Sequence, residues 1–153
     1  MKIKEVMANV VWTCHENDPL SVPARLMWEH DIGAVPVLSA EEKLVGIVTD
    51  RDLCMSAYFT GAPLGSTPVS QAMSTVVFTV EPEQSVEAAE GLMRTKQIRR
   101  LPVMTGAKVV GMISLGQIAR AAKGKKEVTA GEVSATLAAI VEPRPMPAAP
   151  ATA

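Results

Sequence analysis

The chain is written twice. Displaced by 66 positions, Met7 falls on Met73, Val10 and Val11 on Val76 and Val77, and Thr13 on Thr79. Leu26 and Met27 fall on Leu92 and Met93, Ile32 on Ile98, and Pro36 and Val37 on Pro102 and Val103. One residue is lost where "SAEEK" faces "TGAK", and from there the displacement is 65, so that Val45 and Gly46 meet Val110 and Gly111. A register held for about fifty residues, broken only at a turn, is a duplicated structural unit.

Each copy reads in one order. A β-branched run at residues 10–13 and 76–80 predicts a first strand. A helix follows: Val86, Ala89, Leu92 and Met93 recur at helical spacing within residues 85–97, and Val22, Leu26 and Met27 do so in the first copy. Pro23 is tolerable there because it falls in the first turn. Two short strands come next, "AVPVLS" with "LVGIVT" and "LPVMT" with "VVGMIS", joined by polar and glycine turns. A last helix starts near Asp50 in one copy and at Leu115 in the other. The fold class predicted is mixed α/β (α+β): two β-α-β-β-α repeats packed sheet to sheet with pseudo-two-fold symmetry, helices outside, and two clefts at the junction. The expected organisation is repeat one at residues 1–65, repeat two at 66–123, a C-terminal helix at 124–141 and a Pro/Ala-rich tail at 142–153.

Composition narrows the function. With 48% hydrophobic residues and a net charge of −1, the chain reads as globular, without the field that draws nucleic acid or an acidic membrane. No apolar run is long enough to span a bilayer, and no secretory leader is recognisable, so the cytoplasm is the expected compartment. Cys14 and Cys54 are too few for a disulfide framework, and Cys14-His15 lacks further ligands at metal spacing. No nucleophile paired with a base, P-loop or metal set is visible, and an enzyme is not expected.

The segments "HDIGAVPV" and "QIRRLPV", with "LVGIVTDRDL" and "VVGMISLGQI", resemble a tandem pair of CBS (cystathionine-β-synthase-type) domains over about residues 3–123. The chain is most similar to small stand-alone bacterial CBS-pair proteins. The resemblance implies a regulatory sensor with no required cofactor. It would bind an adenosine-containing ligand such as AMP, ADP, ATP or S-adenosylmethionine, assemble as a homodimer and signal to an unidentified effector protein.

Thr49 and Asp52 lie three apart at a strand-to-helix junction, as do Ser114 and Gln117. Both pairs fit a capping box, which needs no ligand. The resemblance places the family's ribose-binding Thr and Asp on Thr49 and Asp52. A carboxylate accepts two hydrogen bonds at once, as a ribose diol requires, whereas Gln117 has one accepting atom. Both readings stand on sequence alone.

Arg99 and Arg100 are either a solvated pair or a phosphate clamp, and their counterparts Gly33 and Ala34 would leave room for a ligand beside the backbone. By analogy with the family, Val11, Trp12 and Thr13, or Val35 and Pro36, would wall an adenine, although each valine also reads as plain core. Trp12 aligns with Phe78, which suggests a shared packing role, and His30 reads as a partner for a helix C-terminus. Val133, Leu137 and Ile140 share one face of the C-terminal helix, and Lys123, Lys125 and Lys126 read as solvated. The alternative to a sensor is a structural or protein-interaction module that binds no nucleotide.

Overall fold

The structure, a computed structural model, describes residues 1–123 and 128–144. Lys125, Lys126 and most of the expected tail lie outside the described residues. Repeat one contains β1 (Cys14–His15), α1 (Ser21–His30), β2 (Ala34–Leu38), β3 (Leu44–Thr49) and α2 (Asp50–Thr60). Repeat two contains α3 (Val86–Lys96), β4 (Arg100–Thr105), β5 (Lys108–Ser114) and α4 (Leu115–Ala122), and α5 (Ala130–Val141) follows.

In repeat one, β2 lies between β1, to which it is parallel, and β3, to which it is antiparallel. In repeat two, β4 pairs antiparallel with β5, and a single parallel bridge from Val80 to Val103 stands where β1 stands in repeat one. Both hairpins shift register at equivalent points, between Val37 and Leu38 and between Val103 and Met104. Every residue of β2 is buried, as in a strand covered on both faces.

Helix ends follow local chemistry. Ser85, Thr49 and Ser114 each cap a helix by accepting a backbone N–H. α1 and α3 stop at Asp31 and Gln97, which match across the repeat and both adopt a left-handed backbone. Pro23 sits in the first turn of α1, as expected.

The expected strand at residues 10–13 does not form: the strand begins at Cys14, and only Val80 of the matching run pairs. Val10 and Val76 are about two-thirds exposed. β-branched side chains favour a pleated, half-buried surface, and here no strand lies alongside to provide one.

The leading segments are exchanged. Residues 1–8 of repeat one lie on repeat two: Lys2 bridges Ser85, Ala8 bridges Met112, and Ile3 and Met7 pack in the core of repeat two. Reciprocally, Pro68 bridges Pro19, Ser74 bridges Ile47, and Val69, Ala72 and Met73 pack in the core of repeat one. Ile3 and Val69 are both fully buried. Glycine permits the close approach. A Cβ on Gly46 would lie 3.1 Å from Ser74 O, and one on Gly111 would lie 2.9 Å from Ala8 O.

α5 packs on α3 and α4. Arg94 Nη1 donates to Thr136 Oγ1 at 2.8 Å, and that hydroxyl donates to Glu90 Oε1 at 3.0 Å. Ile140 and Val133 join the core of repeat two, but Leu137 is about half exposed. The buried stripe runs through Thr136 instead, because Arg94 and Glu90 on α3 offer it polar partners.

Candidate functional site

Two helix N-termini, at the ends of β3 and β5, carry matching chemistry. At the end of β3, the Thr49 N–H and hydroxyl donate to Asp52 Oδ2 at 2.8 and 2.7 Å, and the Asp52 N–H donates back to Thr49 Oγ1 at 3.3 Å. At the end of β5, the Ser114 N–H and hydroxyl donate to Gln117 Oε1 at 2.7 and 2.9 Å, and the Gln117 N–H donates to Ser114 Oγ at 3.2 Å. Both capping boxes are therefore complete. Each uses a single accepting atom. The atom left over differs: in Asp52 it is a second carboxylate oxygen, an acceptor, whereas in Gln117 it is the amide nitrogen, a donor. The two copies share their capping and differ only in this spare atom.

Arg100 joins the halves. It opens β4 in repeat two, yet its guanidinium lies over the backbone of Gly33 in repeat one. A Cβ on Gly33 would lie 2.9 Å from Arg100 Cζ and 3.0 Å from Asp50 Oδ2. A cation from one repeat thus sits beside the α2 N-terminus of the other, next to Thr49 and Asp52 in the chain. Burial pushes the Arg100 pKa below its ordinary value, Arg99 pushes it the same way, and Asp50 partly offsets both. Arg99 is exposed, and its carbonyl accepts the Leu115 N–H.

The proposed adenine walls separate. Val35 is fully buried and packs in the core of repeat one, in keeping with its reading as plain core. Pro36 and Ala34 alternate with it on the opposite face of β2, and both are buried. Residues 8–14 leave β5 at Ala8 and reach β2 at Cys14, which places Val11, Trp12 and Thr13 between them. The segment that flanks β3, the strand leading to Asp52, is instead residues 74–80 of repeat two.

Trp12 stacks on His30 with ring centroids 3.7 Å apart and planes 4° from parallel. Lys96 Nζ lies 4.8 Å from the Phe78 ring centroid. These are equivalent positions, so each leading segment rests an aromatic ring on a basic residue at a helix C-terminus. The packing role shared by Trp12 and Phe78 is thus realised, and His30 meets a ring.

A cavity of about 470 Å³ opens between the repeats, lined among others by Val45, Val77, Thr79 and Met104. None of the ligand-binding candidates named from the sequence lines it, but Val77 and Thr79 are the counterparts of Val11 and Thr13. Val45 and Thr49 share one face of β3, so this cavity lies along the same strand face as the Asp52 box, roughly 13 Å further back. The repeat offset could have named Val77, Phe78 and Thr79; what it could not reveal was the exchange that carries them to β3.

This fold and paired junction define a two-repeat regulatory module, and the chain belongs to the CBS domain family. The family's sequence model matches residues 3–57 and 69–124. The chain is 38% identical over 117 residues to the CBS domain-containing protein YhcV of Bacillus subtilis, covering 76% of this chain and 82% of that protein. It is 28% identical over 117 residues to hypoxic response protein 1 of Mycobacterium tuberculosis, with the same coverage. Among solved structures it is similar to the CBS domain pair of protein MJ0100 in complex with 5-methylthioadenosine and S-adenosyl-L-methionine. The TM-score is 0.73 at 25% identity, over 82% of this chain and 98% of that one. Among the described residues, no helix is long and apolar enough to cross a membrane.

Proposed function

We propose that this protein is a non-catalytic, cytoplasmic sensor that binds an adenosine-containing ligand (AMP, ADP, ATP or S-adenosylmethionine) at the Asp52 side of the junction. The observation that carries the reading is the spare carboxylate oxygen of Asp52 on the helix that also receives Arg100 from the other repeat. A diol would donate to that oxygen, and phosphates would meet the Arg100 guanidinium and the α2 N-terminus. The ligand complex of the similar protein MJ0100 supports the adenosine class. Because the ligand would touch both repeats, it favours one arrangement of them, and that bias is the signal passed to an effector protein.

The test isolates the spare atom. Asp52→Asn keeps an oxygen for the capping box and turns the other end into a donor, as in Gln117. Titration calorimetry with AMP, ADP, ATP and S-adenosylmethionine should show at least tenfold weaker binding for this variant, about 1.4 kcal/mol, while the melting temperature holds. No heat from the unaltered protein with any of these ligands at millimolar concentration overturns the reading. One observation favours a scaffold that binds no nucleotide: helix capping alone accounts for both Thr49 with Asp52 and Ser114 with Gln117.

A further inference from the structure

The matched methionines Met7 and Met73 close the seam of the exchange. Met73 Sδ, from repeat two, lies against Gly46 of β3, and Met7 Sδ, from repeat one, lies against Gly111 of β5. A Cβ on Gly46 would stand 2.5 Å from the first sulfur, and one on Gly111 would stand 2.6 Å from the second. Among the described glycines, these are the two at which an added Cβ would meet a methionine sulfur. Each methionine precedes a residue that ties the repeats together: Ala8 exchanges two backbone hydrogen bonds with Met112, and Ser74 does so with Ile47. Met7 and Met73 are half-buried, whereas Met27 and Met93 lie in the cores at 8% and 0% exposure. Water therefore reaches the seam methionines and scarcely reaches the core pair.

We propose that Met7 and Met73 are a pair of modification sites for a hydroperoxide, and that their sulfoxides loosen the exchanged segments. The thioether sulfur attacks one oxygen of hydrogen peroxide. A sulfur–oxygen bond forms and the oxygen–oxygen bond breaks. The sulfur-bound hydroxyl then gives its proton to the leaving hydroxide, which departs as water. Sulfur loses two electrons and the peroxide gains them. The product carries a polar oxygen, and the seam has no donor for it. The backbone atoms beside the two glycine notches are Ser74 O and Ala8 O, 3.1 and 2.9 Å from where a Cβ would stand. Both are acceptors, as is a sulfoxide oxygen. The N–H groups of Met7, Ala8, Met73, Ser74, Ile47 and Met112 already donate to carbonyls. An acceptor buried without a donor destabilises the arrangement that buries it, so each leading segment moves off the opposite half. Leucine would fill the same space. What the thioether adds is an atom that peroxide oxidises and a reductase restores. The inference rests on the exchanged segments and is independent of nucleotide binding.

Peptide mapping and thermal unfolding of the full chain during treatment with hydrogen peroxide test it. Met7 and Met73 should be converted at least about tenfold faster than Met27 and Met93, and the melting temperature should fall by at least about 4 °C. Both methionine sulfoxide reductases with a dithiol should restore it. Met7→Leu with Met73→Leu should hold its own melting temperature through the same treatment. Met1, Met55, Met104, Met112 and the exposed Cys54 remain in that variant, so oxidation elsewhere is controlled. Each protein is compared with itself before and after peroxide, so a variant that starts less stable still decides the matter. Conversion of Met7 and Met73 no faster than that of the core pair overturns the inference. So does full conversion at an unchanged melting temperature, or an equal fall in the double leucine variant.

Discussion

At the scale of single residues, Arg100 and Gly33 depend on one another. Glycine is needed at position 33 because the guanidinium lies against its backbone, not because the backbone turns sharply: the glycines with positive φ are Gly61 and Gly106. Gly33→Ala would strike the end of a flexible side chain, which can swing away, so stability should change by less than about 1 kcal/mol. Arg100 would leave the α2 N-terminus, however. Calorimetry should then show lost affinity for ATP or AMP with little change for adenosine, and an equal loss for all three would remove Arg100 as a phosphate contact. Cysteine chemistry is also set residue by residue. Burial pushes the Cys14 thiol up to about 12, while Cys54 is exposed.

At the scale of elements, the sequence was legible where its information is local. The cap at Ser85, the helix starts at Asp50 and Leu115, both hairpins and both capping boxes follow from neighbours a few residues apart. One reading failed, and another missed at Leu137 alone, where the outcome depends on what lies opposite. Residues 10–13 have strand-forming side chains but no strand to pair with, and the buried stripe of α5 was set by Glu90 and Arg94 on another helix. That latch has a pH dependence. Burial raises the Glu90 pKa most, Glu132 and Glu87 raise it further, and Thr136 and Arg94 oppose the shift. A carboxyl with a raised pKa holds its proton more tightly in the folded state. Its contribution is therefore complete below its ordinary value near 4.5 and is lost as pH rises through the shifted value. Melting temperature should fall over that window. Glu90→Gln, which keeps an acceptor for Thr136 without a charge, should flatten the slope and raise stability at neutral pH. An unchanged slope would place the titration elsewhere.

At the scale of the whole molecule, the offset of 66 disclosed two units but not how they are joined. A repeat alignment is blind to which copy a segment packs upon, because Ile3 in its own half and Ile3 in the other give the same sequence. For the same reason the candidate site was only half legible. Thr49, Asp52 and Arg100 could be found by their chemistry, while the segment flanking β3 had to be seen. The seam of the exchange should be the most sensitive place in the protein. Gly111→Ala and Gly46→Ala push a methyl group toward the backbone carbonyls of Ala8 and Ser74, which cannot swing aside as a side chain can. Each should cost about 1–3 kcal/mol in denaturant unfolding. A cost as small as that expected for Gly33→Ala would show that the leading segments are held loosely.

Ile3 and Val69, each sealed in the opposite half, make neither half self-sufficient. One copy of the unit, alone, lacks the arm that completes its interior and leaves its own arm stranded. Carrying both copies on one chain makes their encounter depend on the length of the tether and not on abundance.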